Sequence, residues 1–148
     1  MRRIIGVLLL LGACPAAFAA DEGWYGTWVQ RSPPGMVMTV EPTAGGAKFT
    51  YRMPPSSGVQ SSVLTFDTKL DGSYVPVFID GKDSGETMLI KRIDDRRIMG
   101  NWKINGQDAG MSTSELSADG KAIKVLNENY VGGPNGTARK TTEYWDKK

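Results

Sequence analysis

Short stretches of alternating apolar and polar residues recur along the chain after residue 20. Between residues 47 and 53, for example, Phe49, Tyr51 and Met53 fall on one face of an extended chain, and polar residues fall on the other. A period of two is typical of a β-strand that buries one face. Such stretches return about every 8–12 residues, and clusters of turn-forming residues separate them. The pattern therefore predicts an all-β protein.

The turn clusters divide the chain into about ten strands joined mostly by short loops. Asp71-Gly72, Asn105-Gly106 and Asp119-Gly120 are strong hairpin signals. Short loops pair each strand with its neighbour, and such a meander removes its exposed edges by closing. We predict an up-and-down antiparallel meander closed into a barrel of about 8–10 strands. The predicted strands cover residues 24–31, 36–41, 47–53, 61–68, 73–79, 86–93, 96–104, 108–117, 121–129 and 138–145.

The first predicted strand places Trp24, Gly26 and Trp28 on one face. A tryptophan at this position can fill one end of a barrel. A glycine within a strand allows a neighbouring segment to approach closely. We therefore assign Gly26 and Trp28 to the closure of the barrel.

The first 19 residues have the features of a secretory signal peptide. Arg2 and Arg3 precede the apolar run Ile4–Ala13, which is too short to span a bilayer. Ala17-Phe18-Ala19 supplies the small-x-small cleavage pattern. We expect cleavage near Ala19, a periplasmic or secreted protein, and a single domain over residues 20–148.

A bacterial lipobox is the alternative interpretation of the N-terminus. The segment Leu11-Gly12-Ala13-Cys14 resembles that motif, and a lipid on Cys14 would anchor the protein to a membrane. Gly12 before Ala13 and Pro15 after Cys14 match the motif poorly. Lipidation is therefore the minority expectation, and membrane attachment is expected only with it.

Composition removes several classes of function. Loss of Arg2 and Arg3 with the signal leaves 16 basic and 16 acidic side chains, so no strong field favours nucleic acid. The chain has no histidine, and Cys14 is its only cysteine. Catalysis by a serine–histidine pair or a thiol and metal binding by histidine are thereby excluded. We expect no enzyme activity, no cofactor and no metal.

Inward-facing side chains of a barrel either fill it or line a small ligand cavity. Six methionines remain after signal cleavage, and methionine adapts to irregular apolar ligands. Arg92 falls on the same face as Met88 and could pair with a fatty-acid carboxylate, or reach solvent at a strand end. Pattern alone leaves a filled barrel and a hollow one as equal alternatives. The predicted interior ligand-binding residues are Met38, Phe49, Tyr51, Phe66, Met88, Ile90, Arg92, Trp102, Met111 and Tyr144.

Pairs of aspartates and two loops need separate interpretations. Asp94-Asp95 and the Asp80/Asp83 pair lie at predicted turns, where aspartate accepts hydrogen bonds from the backbone. Turn chemistry is therefore favoured over metal binding or catalysis.

The segment Pro54–Gln60 is a long hairpin loop or a flap over a barrel mouth, and Val131–Gly136 is a glycine-rich loop.

The segment Gly26-Thr27-Trp28 resembles the Gly-x-Trp motif on the first strand of lipocalins. In that family the tryptophan closes one barrel end, and an arginine late in the chain packs across it. The resemblance implies these roles for Trp28 and Arg139. The other lipocalin motifs and the C-terminal helix are not visible in this sequence.

A second resemblance, to small secreted bacterial lipocalin-like proteins of unassigned function, covers nearly the whole mature chain. It implies a fold and carries no catalytic residues. The similar phrases here are Gly26-Thr27-Trp28, Asp71-Gly72-Ser73-Tyr74-Val75-Pro76-Val77, Lys91-Arg92-Ile93-Asp94-Asp95, Ser117-Ala118-Asp119-Gly120-Lys121-Ala122-Ile123-Lys124-Val125 and Tyr144-Trp145-Asp146-Lys147.

These observations favour an exported, non-enzymatic lipocalin-like barrel that binds a small hydrophobic molecule, lipid or fatty-acid-like. The first alternative is an inhibitor or assembly factor of the cell envelope, which would have a filled barrel and bind through its loops. A hydrolase or isomerase that uses carboxylates, lysine or tyrosine is the least favoured, since it needs titratable groups that converge in a cavity.

Overall fold

The structure, a computed structural model, describes residues 23–56, 58, 60–131 and 135–148. The predicted signal peptide and Cys14 lie outside the described residues. The part of the chain that is described is all-β, as predicted, and holds no helix long and apolar enough to cross a membrane. The ten strands are β1 (Gly26–Ser32), β2 (Val37–Thr43), β3 (Gly46–Met53), β4 (Ser62–Thr68), β5 (Asp71–Ile79), β6 (Lys82–Arg92), β7 (Arg97–Ile104), β8 (Gln107–Leu116), β9 (Ala122–Val131) and β10 (Thr137–Lys147).

The strands form a closed antiparallel barrel in which each strand pairs with its neighbours in the sequence. Closure joins the first strand to the last. Trp28 lies opposite Lys147, and Gln30 lies opposite Trp145. The barrel therefore has no free sheet edge, which is the outcome predicted from short loops and alternating strands.

The connection between β4 and β5 differs from the prediction. Asp71-Gly72 does not form the turn but begins β5, with Asp71 opposite Lys91. The chain reverses just before, where Leu70 has a φ of 60°. The carboxylate of Asp71 accepts a hydrogen bond from the backbone N–H of Ser73 at 2.9 Å, and the pairing register shifts between Asp71 and Tyr74. A local aspartate turn inside an irregular strand thus gives the same sequence signal as a hairpin.

Two other hairpins show the backbone that their sequences predict. Asn105 and Gly106 have φ values of 51° and 79°, and Asp80 and Gly81 have 50° and 76°. Positive φ at both central residues is the type I′ geometry, which matches the twist of paired strands. The polar turn expected over residues 80–85 is shorter than predicted, because β6 begins at Lys82.

Tryptophans and a lysine close one end of the barrel. Trp24 precedes β1, so its predicted place within the strand is wrong, and its indole N–H donates to the carbonyl of Asp95 at 3.1 Å. The fully buried Trp28 donates its indole N–H to the carbonyl of Trp24 at 3.0 Å. Lys147 lies with its Nζ 5.1 Å from the centroid of the Trp28 ring. We call the end defined by Trp24, Trp28 and Lys147 the closed end, and the opposite end of the barrel the far end.

Gly26 allows the last strand to approach the first at the closed end. A Cβ on Gly26 would lie 3.0 Å from Cε of Lys147, and the φ of Gly26 is +127°. The ammonium group of Lys147 also donates to the carbonyl of Gly23 at 3.0 Å. The close approach expected at this glycine is therefore present, and it seats the lysine over Trp28.

Gln30 is a buried polar residue on β1, with 4% of its surface exposed. Among the described residues, its Nε2 has no hydrogen-bond partner. A buried donor without a partner costs about 1–3 kcal/mol of stability. Gln30 does not line the cavity described below, so this cost falls on the barrel wall and not on the site.

Candidate functional site

The barrel contains a partly open cavity of about 320 Å³ that begins at Trp24 and extends to Glu86 and Thr141, toward the far end. Pockets for small ligands commonly range over about 300–1,000 Å³. Of the two alternatives that the sequence left open, the structure shows the hollow one.

Small residues on two adjacent strands leave this space. Gly100 on β7 and Ser112 and Ser114 on β8 line the cavity where the pattern of a packed core would place large side chains. A Cβ on Gly100 would lie 2.7 Å from Oγ of Ser112, so these two positions already pack closely. Gly110 on β8 lies under the indole of Trp102, which occupies the place of a Cβ. The volume of the cavity therefore depends on side-chain size on β7 and β8.

Aromatic rings form the wall on β3, β4 and β10. Phe49 and Phe66 stack with ring centroids 5.1 Å apart and an interplanar angle of 10°. Tyr51 packs against Phe66 at 6.4 Å and meets Trp145 edge to face at 6.1 Å. Such pairs hold their rings in fixed relative orientations. The rings thus provide a rigid apolar surface along one side of the cavity.

The polarity of the lining changes along the barrel axis. On β9, Ile123 and Val125 line the cavity nearer the closed end, whereas Asn127 and Asn129 line it farther along the strand. On β10 the same order gives Trp145, then Glu143, then Thr141. On these two strands the lining is therefore apolar toward the closed end and polar toward the far end, which suits a ligand with an apolar body and a polar group.

Glu143 is the carboxylate at the transition between these two zones. Its Oε1 accepts a hydrogen bond from Nδ2 of Asn127 at 2.9 Å, and its Oε2 accepts one from Nε1 of Trp145 at 3.1 Å. Burial of Tyr51, and secondarily the negative charge of Glu143, raise the pKa of the tyrosine phenol. Tyr51 therefore stays neutral at physiological pH and keeps its hydroxyl proton as a donor.

Glu86 on β6 is the second charged residue of the lining, and no lysine or arginine lines the cavity within the described part of the chain. Neither Glu86 nor Glu143 forms an ion pair with a described residue. The interior therefore carries two negative charges that nearby cations do not balance.

Seven of the ten residues predicted for the interior line this cavity. Five strands, β2, β3, β4, β6 and β7, supply them, because alternation along each strand turns the apolar face inward. A ligand-binding role for these seven remains a prediction. They are Met38, Phe49, Tyr51, Phe66, Met88, Ile90 and Trp102.

Met111 and Tyr144 point out of the barrel, so their predicted interior positions are wrong. Met111 lies between Gly110 and Ser112, both on the inner face of β8. Tyr144 is 38% exposed, and the guanidinium carbon of Arg31 lies 5.5 Å from its ring centroid. Both residues are predicted to face inward because of their large, mainly apolar side chains. Alternation with their neighbours along the strand places them on the outer face instead.

Arg92 is at the closed end and not in the cavity, so its predicted place there is also wrong. Its Nη2 pairs with the carboxylate of Asp95 at 3.0 Å, and its Nε donates to the carbonyl of Asp94 at 3.3 Å. The side chain borders a small apolar pocket beside Trp24 and Ile98. The turn that follows β6 thus holds the cation that was expected to meet a ligand carboxylate.

Arg139 does not pack across Trp28, and that prediction from the resemblance is wrong. Arg139 lies opposite Asn129, toward the far end of β10. Lys147 lies opposite Trp28 and occupies the position over its ring. The two positions are eight residues apart, or about 26 Å along an extended strand. Gly26 and Trp28 lie at the closed end.

The polar residues of the lining were missed by the sequence analysis because only apolar residues were assigned inward. The available signal was strand parity. Glu143 is two residues before Trp145, and Asn127 is two after Val125, so each shares a face with an apolar neighbour. The missed polar residues of the lining are Glu86, Ser112, Ser114, Asn127, Asn129, Thr141 and Glu143.

Asp94 and Asp80 lie at turns, as predicted, whereas Asp83 lies inside β6. Asp94 accepts a hydrogen bond from the backbone N–H of Arg96 at 2.9 Å, and its other oxygen accepts one from Nε of Arg97 at 2.7 Å. The Arg97 side chain and then the Arg96 backbone hold the pKa of Asp94 below its usual value. Asp80 accepts from the backbone N–H of Val63 at 2.8 Å. Within the described ranges, no group of three or more acidic, histidine or cysteine side chains could hold a metal ion.

The two long loops are described only in part. Residues 57 and 59 of the segment Pro54–Gln60, and residues 132–134 of Val131–Gly136, lie outside the described residues. The interpretation of the first loop as a flap therefore stays a prediction.

Comparison with known protein families and with curated protein sequences finds no match to this chain. The likeness to lipocalins therefore rests on the architecture and on the short motif around Trp28. Lipocalin barrels have eight strands, and this barrel has ten. The closed up-and-down meander is the feature that they share.

Proposed function

We propose that the protein is an exported, non-enzymatic barrel that binds a small hydrophobic molecule in its interior. The cavity of about 320 Å³ inside the closed barrel is the observation that carries this proposal. Fixed aromatic rings and three methionines, Met36, Met38 and Met88, supply an apolar wall, and the polar zone gives the bound molecule an orientation. An interior that is hollow and partly apolar is the usual form of a small-molecule site.

A matched pair of variants tests this proposal. Ser112→Leu places a large side chain inside the cavity, whereas Thr113→Leu places the same side chain on the outer face of β8. We expect the neutral fluorescent hydrophobe N-phenyl-1-naphthylamine to bind saturably to the wild type and to Thr113→Leu. Binding by Ser112→Leu should be several-fold weaker, because the added side chain occupies the ligand volume.

Native mass spectrometry of protein purified from the periplasm gives the complementary measurement. A retained small molecule, released by mild activation, is the expected result. The proposal is overturned if no molecule is retained and the dye binds neither saturably nor differently to the two variants. Recovery of the mature chain from the cytoplasm alone would contradict export.

A further inference from the structure

The charge of the cavity specifies the class of ligand more closely than its volume does. An inference from this charge rests on the proposed function, because it concerns the same cavity. Within the described residues, no lysine or arginine lines the cavity. A fatty acid would therefore place its carboxylate next to Glu143 and Glu86 without a cation to pair with. Like charges brought together in a partly open site repel each other. The electrostatics therefore oppose an anionic ligand.

We propose that the cavity binds a cationic amphiphile, a molecule with an alkyl body and an amine or ammonium group, and that Glu143 receives the positive charge. The alkyl body would lie toward the closed end, against Phe49, Ile90 and Ile123. The charged group would lie in the polar zone, where Asn127 and Glu143 line the same cavity.

The hydrogen bonds of Glu143 orient its carboxylate and leave acceptor positions for such a group. Its two oxygens together offer about four acceptor positions, and Asn127 and Trp145 use one on each oxygen. Both donors are neutral, so they orient the carboxylate without cancelling its charge. An ammonium group can donate to the remaining positions, and a charge-assisted hydrogen bond is stronger than a neutral one.

The aromatic side chains add a second attraction for a cation. The rings of Tyr51, Trp102 and Trp145 line the same space. The face of an aromatic ring attracts ammonium groups within about 6 Å of its centroid. The Tyr51 ring meets Trp145 edge to face, next to the carboxylate that Trp145 binds. The carboxylate of Glu143 and the rings of Tyr51 and Trp145 thus lie together in one part of the cavity.

The cations of the barrel lie elsewhere. Arg92 pairs with Asp95 at the closed end, and Lys147 lies over Trp28. Arg139 shares the strand face of Thr141 and Glu143, but it lies toward the far end and is exposed. The described cations therefore leave the negative charges of the cavity available to a ligand.

A ligand series with one alkyl chain and three head groups tests the inference by calorimetric titration. Octylamine is positively charged at pH 7, octan-1-ol is neutral, and octanoate is negative. We expect octylamine to bind most tightly and octanoate most weakly. The amine should exceed the alcohol by about tenfold, since hydrogen bonds to charged groups contribute more than neutral ones.

Glu143→Gln removes the charge and keeps the shape of the side chain. In this variant the advantage of octylamine over octan-1-ol should disappear, while octan-1-ol binding changes by less than about twofold. Glu86→Gln is the second interior variant and should reduce the same advantage. Glu115→Gln, which removes an exposed carboxylate on the outer surface of β8, is the matched control and should change nothing. Melting curves of all three variants verify that they fold.

The outcomes separate this inference from the proposed function. If octanoate or octan-1-ol binds the wild type as tightly as octylamine, the inference is overturned and the cavity remains a hydrophobe site. An unchanged head-group preference in both Glu143→Gln and Glu86→Gln also overturns it. If none of the three ligands binds saturably, the proposed function fails as well.

Discussion

Aromatic and charged residues have different partners at the two ends of the barrel. At the closed end, the indole N–H of Trp24 and that of Trp28 each have a carbonyl acceptor, and Arg92 has a carboxylate partner. Toward the far end, Glu143 has only neutral donors, and the rings of Tyr51 and Trp102 border open space. The comparison shows that one alternating pattern can build a packed plug and a hollow site in the same barrel, and that side-chain size and polarity decide which forms.

Replacement of a tryptophan at each end should give the largest contrast. Trp28→Ala removes a fully buried ring and should lower the free energy of unfolding by about 3–5 kcal/mol. Trp102→Ala removes a ring that borders the cavity and should cost less. Chemical denaturation of both variants provides the measurement. Equal losses would contradict the division between a packed closed end and a hollow remainder, and an unchanged Trp28→Ala would show that Trp28 does not organise the barrel.

Gly110→Ala should perturb the wall that leaves the cavity open. The new Cβ would overlap the indole of Trp102 and lie 2.6 Å from the carbonyl oxygen of Glu128. We expect a loss of about 1–3 kcal/mol, as for other overpacked positions, and weaker dye binding as the indole moves into the cavity. Gly45→Ala is the control, since a Cβ there meets no atom within 4 Å. The explanation of the cavity by small residues fails if the two variants have the same stability and dye affinity.

Low pH should destabilise the turn at the closed end that contains Asp94. This is the smallest of the expected effects on stability. The pKa of Asp94 is lowered in the folded protein by Arg97 and by the Arg96 backbone. Its contribution to stability is therefore present above the pKa of the unfolded chain, about 4, and is lost as the pH falls through the lower folded value.

Asp94→Asn tests this effect in urea unfolding at several pH values. The variant should have a slightly lower urea midpoint than the wild type at pH 7, because the carboxylate is exposed and its pairing is screened by solvent. The difference should shrink as the pH falls below about 4. A difference that is independent of pH would show that the charge of Asp94 does not stabilise the turn.

Prediction from the sequence failed where it had to decide which of the two alternating faces of a strand points into the barrel. In β10 the aromatic residues Tyr144 and Trp145 are adjacent, so only one of them can face the interior. The prediction that this residue is Tyr144 is wrong. Trp145 is 2% exposed, and Tyr144 packs against Arg31 outside. In β8, Met111 was predicted to face inward because it is apolar, although Gly110 and Ser112 on either side of it face the cavity. Apolarity identifies the inner face only where that face is filled.

The strands, most of the turns and the meander of this barrel follow from the sequence alone, because they depend on residues close together in the chain. Alternation has a period of two, and turns such as Asn105-Gly106 are set by the φ values that their own residues tolerate. That the barrel is hollow and that Lys147, not Arg139, covers Trp28 emerge only from the folded structure. These facts depend on register and volume across strands far apart in the chain, which no local pattern encodes.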